Sequence, residues 1–263
     1  MISRLKTIYL AIIFLFLYAP IGVLIAQSFN ESRYRGHWTG FSLKWYESLF
    51  QQEKIVDALQ NTITIGILSA LISTVLALIT CLALREVGKK IRAMFMSVAN
   101  VPILNADIVT GISLMLLFMG MGMKLGYGSI LVAHVVFNVP YVMLCIMPQL
   151  LALDKSFYEA ALDLGASPFK AFTSVVLPEL RPSIFAGFLL AFTMSADDFI
   201  ITYFTRGAGV DTLPTEIYSE LKLGIHPEMY ALSTLVFLFV LIFVVLFAMN
   251  RKKFSRQREE ILQ

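Results

Sequence analysis

Three carboxylates, Asp107, Asp197 and Asp198, lie inside stretches that are otherwise apolar. A charge at the centre of a hydrocarbon layer costs on the order of 2.5 to 3.5 kcal/mol on insertion scales, so such groups normally face a water-filled path or a partner. Counted from the span ends near Arg92 and Pro182, Asp107 and Asp197 each lie about fifteen residues in, roughly 22 Å at helical rise. Both therefore fall in the outer half of a core about 30 Å thick. Carboxylates at one depth on two spans make a station for a cation. Ser195 and Asp198 are three residues apart and share a helical face, while Asp197 is rotated about 100° from its neighbour. The two adjacent aspartates cannot both point squarely into one pore. One lines it while the other caps a helix or faces a partner subunit, and the spacing leaves open which. The alternative for all three acids is structural capping near a membrane surface.

The elements that must position these groups are membrane spans. The 263 residues are 58% hydrophobic and 15% charged, with a mean hydropathy of +0.77, more apolar surface than a soluble core could hide. Six runs are long enough to cross the hydrocarbon, at about 8–27, 63–84, 95–119, 129–150, 183–203 and 231–249. The expectation is an all-α integral membrane protein with six transmembrane helices in a single domain over 1–263. Asp107 follows Pro102 and Asn105, which predicts a distorted third helix whose opened carbonyls face the same cavity. Arg4 and Lys6 precede the first run, but its length, Pro20 and the lack of a small-x-small cleavage site make it a retained span.

Fourteen of the 21 cationic residues fall on one face: Arg4, Lys6, Arg85, Lys89, Lys90, Arg92, Lys155, Lys170, Arg181, Arg251, Lys252, Lys253, Arg256 and Arg258. The positive-inside rule makes that face cytoplasmic, with both termini on it and a cytoplasmic loop at about 151–182. Topology thus accounts for the net charge of +3 without a nucleic-acid partner.

Other chemistry is sparse. Cys81 and Cys145 lie within apolar spans and read as small hydrophobes. His37, His134 and His226 lack metal-ligand spacing, and His134, inside the fourth span, reads as an interhelical hydrogen-bonder. No Gly-x-x-x-x-Gly-Lys-Ser/Thr sequence occurs, so nucleotide binding by that route is excluded, and Gly-x-Ser-x-Gly and His-Glu-x-x-His are absent too. The aromatic segment from Ser28 to Tyr46 contains both tryptophans, Trp38 and Trp45. It either anchors at the headgroup level or lets Trp45 or Tyr46 offer a π face to an amine.

Between the fourth and fifth spans stands a different kind of signal. Ser156-Phe157-Tyr158-Glu159 has the form of a capping box and predicts the start of a short helix. Ala160, Ala161 and Leu164 give that helix a small, lightly apolar face, and Gly165 supplies a left-handed end. Ser167 and Pro168 form a cap and first-turn pair, predicting a second short helix across a glycine elbow. The product is a compact polar docking surface. Glu159-Ala160-Ala161, three residues, Gly165, nine residues, then Val175-Val176-Leu177-Pro178 resembles the EAA loop of ABC importer permeases, with Val175 where the pattern usually has Ile.

Across nearly its whole length the chain resembles the spermidine/putrescine permease subunits of the PotC type. The matching segments are Ser28-Phe29-Asn30, Gly40 to Tyr46, Asn105 to Val109, Glu159 to Pro178, Met194 to Asp198, and Leu213-Pro214 with Ile217-Tyr218. Asn105-Ala106 departs from the Ser-Pro that often precedes the matching aspartate. The resemblance implies a type I ABC importer permease fold in a bacterial cytoplasmic (inner) membrane. It implies a second homologous permease, two ATPase subunits that hold ATP and Mg, and an external substrate-binding protein, with no cofactor or metal on this chain and no enzymatic role for it. Trp45, Asp107, Ser195, Asp197 and Asp198 would form the polyamine path. Glu159, Ala160, Ala161, Gly165, Leu177 and Pro178 would belong to the coupling helices. The alternatives are an ABC permease for ferric ion, thiamine or another small solute, or a proton-coupled secondary transporter.

Overall fold

The computed structural model describes residues 2–32, 37–223, 226–238 and 241–242. Among them there is no strand, only an isolated bridge between Asn30 and Phe41. In chain order the helices are α1 (Ile2–Ser28), α2 (Lys44–Gln51), α3 (Glu53–Glu86), α4 (Lys89–Ala99), α5 (Val101–Leu104), α6 (Asp107–Gly120), α7 (Tyr127–Ala152), α8 (Lys155–Asp163), α9 (Pro168–Ala171), α10 (Leu177–Asp197), α11 (Ile200–Thr205) and α12 (Leu213–Leu223).

Among the described residues, four stretches are long and apolar enough to cross a membrane: Lys6–Ser28, Glu53–Glu86, Tyr127–Ala152 and Pro168–Asp197. These correspond to the expected first, second, fourth and fifth spans. The third is corrected. Instead of one helix over 95–119, the chain breaks at Asn105 and Ala106, whose ψ angles of 150° and 134° are extended. Pro102 sits in the single turn of α5 and has no N–H to bond back to Val98, which loosens that turn from α4 and leaves α5 a short piece between two breaks. The fifth span also breaks, because α10 ends at Asp197, Asp198 is extended at ψ 123°, and α11 begins at Ile200. The sixth is helical over 227–238; the rest of 231–249 and the basic residues Arg251, Lys252, Lys253, Arg256 and Arg258 lie mainly or wholly outside the described residues.

By backbone contacts the chain divides into two compact units, Met1–Val56 with Ile217–Gln263, and Asp57–Glu216. In the first, Trp45 is buried and its indole N–H donates to Asn30 O at 2.7 Å. The Asn30 side chain gathers the local loop, donating to His37 O at 2.8 Å and accepting from Thr39 N at 3.1 Å. The side chains of α1, such as Phe16 and Leu15, are exposed, as suits a lipid-facing span.

The second unit is built on α3, α7 and α10. Ala70, Ala77 and Cys81 of α3 pack with Val142, Ile146 and Leu150 of α7 and with Leu180 and Ala191 of α10. Small residues allow the close approach, since apolar helices in lipid associate by packing and not by expelling water. A Cβ on Gly187 would stand 2.8 Å from Val142 Cγ1. Around α6 a second cluster joins Leu114 and Phe118 to Ala133 and Phe137 of α7 and Ile201 of α11. Ser129 at the start of α7 donates to Thr205 O at 2.7 Å, tying down the far end of α11.

The segment between α7 and α10 forms the expected elbow with two corrections. The cap of α8 is Asp154, whose side chain accepts from Ser156 N at 2.9 Å, so the Ser156–Glu159 capping box does not form. Both residues are good caps, and the carboxylate two positions earlier gains an additional stretch of helix. The helix ends as expected: Gly165 has φ +87°, its N–H donates to Leu162 O at 2.8 Å, and Ala166 N donates to Ala161 O at 3.0 Å, a Schellman end. Ser167 caps α9 by accepting from Lys170 N at 3.3 Å. That second helix is not a separate piece. It runs through a π turn at Phe172–Val176 into α10. Pro178 has no N–H to offer and its ring crowds the carbonyl of Ser174, so a widened turn relieves the clash.

Candidate functional site

The two helix breaks open onto one cleft of about 330 Å³. Asp107 enters it from the first turn of α6, and Asp197 and Asp198 from the end of α10, with Phe137 and Tyr141 of α7 and Phe199 among the apolar lining. Carboxylates from distant parts of the sequence thus share one cavity.

Their surroundings differ. Asp198 accepts from Ile201 N at 3.2 Å, from Thr202 N at 2.7 Å and from Thr202 Oγ1 at 2.8 Å, and His134 Nε2 lies 3.4 Å away. It therefore caps the start of α11, where its charge also faces the positive end of the helix. Asp197, one residue earlier, is exposed and lies at the C-terminal end of α10, where the helix dipole disfavours an anion. Its side chain has no hydrogen-bond or ion-pair partner among the described residues. Asp107 is likewise exposed and unbonded through its side chain among the described residues, but sits at a helix N-terminus, which favours its charge. Asp197 and Asp107 are thus the cleft carboxylates without a side-chain partner among the described residues, and Asp198 is held in place beside them by its bonds to α11.

Ser195 does not line the cleft. It is buried, with its Oγ 2.5 Å from His134 Nδ1 and accepting from Ser69 Oγ at 3.0 Å. His134 is the interhelical hydrogen-bonder its place in the fourth span suggested, since Nε2 also meets Thr202 Oγ1 at 2.9 Å. Phe137 packs edge-on against the His134 ring at 5.2 Å and faces the cleft, so the imidazole sits behind an aromatic wall. Thr202, Ser69 and Tyr141 did not stand out in the sequence; Thr and Ser within apolar spans are common enough to carry little signal alone.

Trp45 belongs to the other unit. Its ring is covered by Lys44 Nζ, 4.5 Å from the centroid, so the cation over this π face is the chain's own. Tyr46 shares a hydrogen bond with Ser28 Oγ at 2.7 Å.

On the elbow, Glu159, Ala160 and Gly165 are exposed and Ala161 is half-buried. Leu164 is 89% exposed and Phe169 76% exposed, while Tyr158 and Phe172 pack inward on the α3–α7–α10 core. Leu177 and Pro178 are half-buried at the head of α10. Two large apolar side chains, at the end of α8 and in α9, thus stand outward on the elbow while aromatics brace it from beneath.

Residues 81–256 match the family described as the binding-protein-dependent transport system inner membrane component. The chain belongs to that family. It is 36% identical over 237 residues to the spermidine/putrescine transport system permease protein PotC of Escherichia coli (strain K12), covering 90% of each chain. It is 37% identical over 238 residues to the putrescine transport system permease protein PotI of the same organism, covering 88% of this chain and 85% of that one. Among solved structures, a bacterial alginate ABC transporter in complex with an alginate pentasaccharide-bound periplasmic protein superposes with a TM-score of 0.69 at 19% identity, over 94% of this chain and 92% of that one. The fold is that of ABC importer permeases, and as an inner membrane component the chain is a transport subunit.

Proposed function

We propose that this chain lines the passage of an ATP-driven importer that carries polyamines, spermidine and putrescine, into the cytoplasm. The observation that carries the reading is the convergence of Asp107, Asp197 and Asp198 on one cleft lined also by Phe137, Tyr141 and Phe199. A polyamine is a string of ammonium groups separated by methylenes. Carboxylates replace the water around its charges while apolar and aromatic walls accept the methylenes and attract the cations. Asp107 and Asp197 make direct contact, and because both are open to water their hold is weak enough for release. The names of the two relatives support the same cargo.

In this reading the chain holds no nucleotide, metal or cofactor of its own and performs no chemistry. Two ATPase subunits bind ATP and Mg and seat on the cytoplasmic loops of the permease pair, one of them on this chain's elbow at Glu159, Ala160, Ala161, Gly165, Leu177 and Pro178, on the cytoplasmic side together with both termini. A second, homologous permease completes the passage, and an external binding protein delivers the cargo; the alginate transporter was solved in complex with a periplasmic protein that holds an alginate pentasaccharide.

The test is ATP-dependent uptake of labelled spermidine and putrescine into vesicles that contain this chain with its partner permease, ATPase and binding protein. Uptake that falls with Asp197→Asn while the complex stays assembled supports the reading. An assembled, ATP-hydrolysing wild type that moves neither compound retains the permease and discards the cargo.

A further inference from the structure

We propose that His134 is a positioning residue which sets the direction of a buried hydrogen-bond chain ending on Asp198, and so fixes where the α10–α11 break presents its charge. This rests on the reading of the cleft as the cation path.

The direction comes from counting protons. A carboxylate only accepts, so Asp198 takes the hydroxyl proton of Thr202 at 2.8 Å. With that proton committed, Thr202 Oγ1 meets His134 Nε2 at 2.9 Å as an acceptor, and Nε2 must carry the hydrogen. A neutral imidazole then has a bare Nδ1. Ser195 Oγ, 2.5 Å from Nδ1, donates to it, and Ser195 in turn accepts from Ser69 at 3.0 Å. Ser69, Ser195, His134 and Thr202 each donate once toward the carboxylate, and Asp198 only accepts. The reverse order, with Thr202 donating to Nε2, would leave Thr202 Oγ1 and Asp198 Oδ2 facing each other at 2.8 Å with no hydrogen between them.

The chain joins four helices at the point where two of them are broken. Ser69 lies on α3, Ser195 on α10, His134 on α7 and Thr202 on α11. Among the described residues that meet the imidazole, Ser195, Thr202, Asp198 and Phe137, the titratable one is Asp198. Phe137 closes the side toward the cleft. His134 and Ser195 are buried, with Thr202 fully enclosed, so no water competes for these bonds, and in a low-dielectric setting the directed chain holds its geometry firmly. A side chain of similar size that lacked the Nε2 donor would leave Thr202 Oγ1 without the hydrogen it accepts, free the hydroxyl to turn, and so loosen its bond to Asp198.

The experiment compares His134→Gln, whose amide nitrogen reaches the place of Nε2, with His134→Phe, which fills the volume and donates nothing. Transport per ATP hydrolysed is read in the assembled complex. The expected result is uptake within about twofold of wild type for Gln and a loss of roughly tenfold for Phe, the worth of one hydrogen bond to a charged group, with assembly and ATPase activity retained in both. Equal behaviour of the two variants, whether both transport or both fail, overturns the proposal. Should the Phe variant not assemble, Thr202→Ser against Thr202→Val asks the same question of the next member of the chain, with the same two outcomes. A cargo-independent measurement separates this proposal from the polyamine reading: ring ¹⁵N signals of His134 in the labelled complex. A bare Nδ1 with a protonated Nε2 supports the directed chain even if no polyamine moves, and a protonated Nδ1 overturns it even if transport is intact.

Discussion

Gly187 on α10 lies so near Val142 on α7 that a Cβ at the glycine would stand 2.8 Å from Val142 Cγ1. The neighbour is a β-branched side chain with little rotamer freedom in a helix, so it cannot swing aside. Gly187→Ala is expected to lower the stability of the chain by about 1 to 3 kcal/mol, the range for overpacking, and thermal unfolding of the detergent-solubilised complex reads it. Gly120→Ala, where a Cβ meets nothing within 4 Å, serves as the control and leaves the melting temperature in place.

The two adjacent aspartates separate in a different assay. Asp198 caps α11 through Ile201 N and Thr202 N, and a lost cap is worth about 1 kcal/mol. Asp198→Ala should speed hydrogen exchange at those two amides roughly fivefold, whereas Asp197→Asn leaves exchange unchanged and reduces uptake. Faster exchange in the Asp197 variant would show that this division of roles between the neighbours is wrong.

Glu159→Lys places a cation at an exposed position of α8 without touching the packed side chains Tyr158 and Phe172. Membrane insertion and the fold of the elbow should persist while ATP-driven flux is lost at least tenfold, about 1.4 kcal/mol of coupling. Undiminished flux would remove the docking role from this helix.

Acid should loosen the start of α8. The backbone N–H of Ser156 holds the Asp154 carboxyl below its ordinary range, so the folded state favours the charged form. Its contribution is complete above the unfolded carboxylate pKa and fades as pH falls through the lowered folded value. Protection of the Ser156 amide should therefore decline on acidification in the wild type and stay flat in Asp154→Asn, which caps without titrating. A flat profile in both would mean that the cap does not depend on charge.

That Asp107 and Asp197 belong together was legible from the span ends and the helical rise, and both line one cleft; the third helix announced its break through Pro102 and Asn105. The break after Asp197 carried no such mark, since neither proline nor glycine stands there. It exists because Asp198 reaches forward to α11, and because His134 and Thr202, held 68 residues apart in the chain, meet at that carboxylate. The same reason hid the partners of His134: its place in an apolar span predicts that it bonds another helix, and only packing says to which. At the elbow the sequence offered two caps within three residues, Asp154 and Ser156, and a pattern match to Ser-x-x-Glu chose the wrong one. Gly165 was readable because a left-handed turn has so few alternatives.

The π turn at Phe172–Val176 leaves α9 and α10 as one continuous helix of 30 residues, Pro168–Asp197, roughly 45 Å from end to end. One tip carries the exposed Phe169 and the other carries Asp197. The π turn and Pro182 stand between them, and these are the places where a long helix bends. A push at the outer tip therefore reaches the carboxylate only as far as those two joints stay straight.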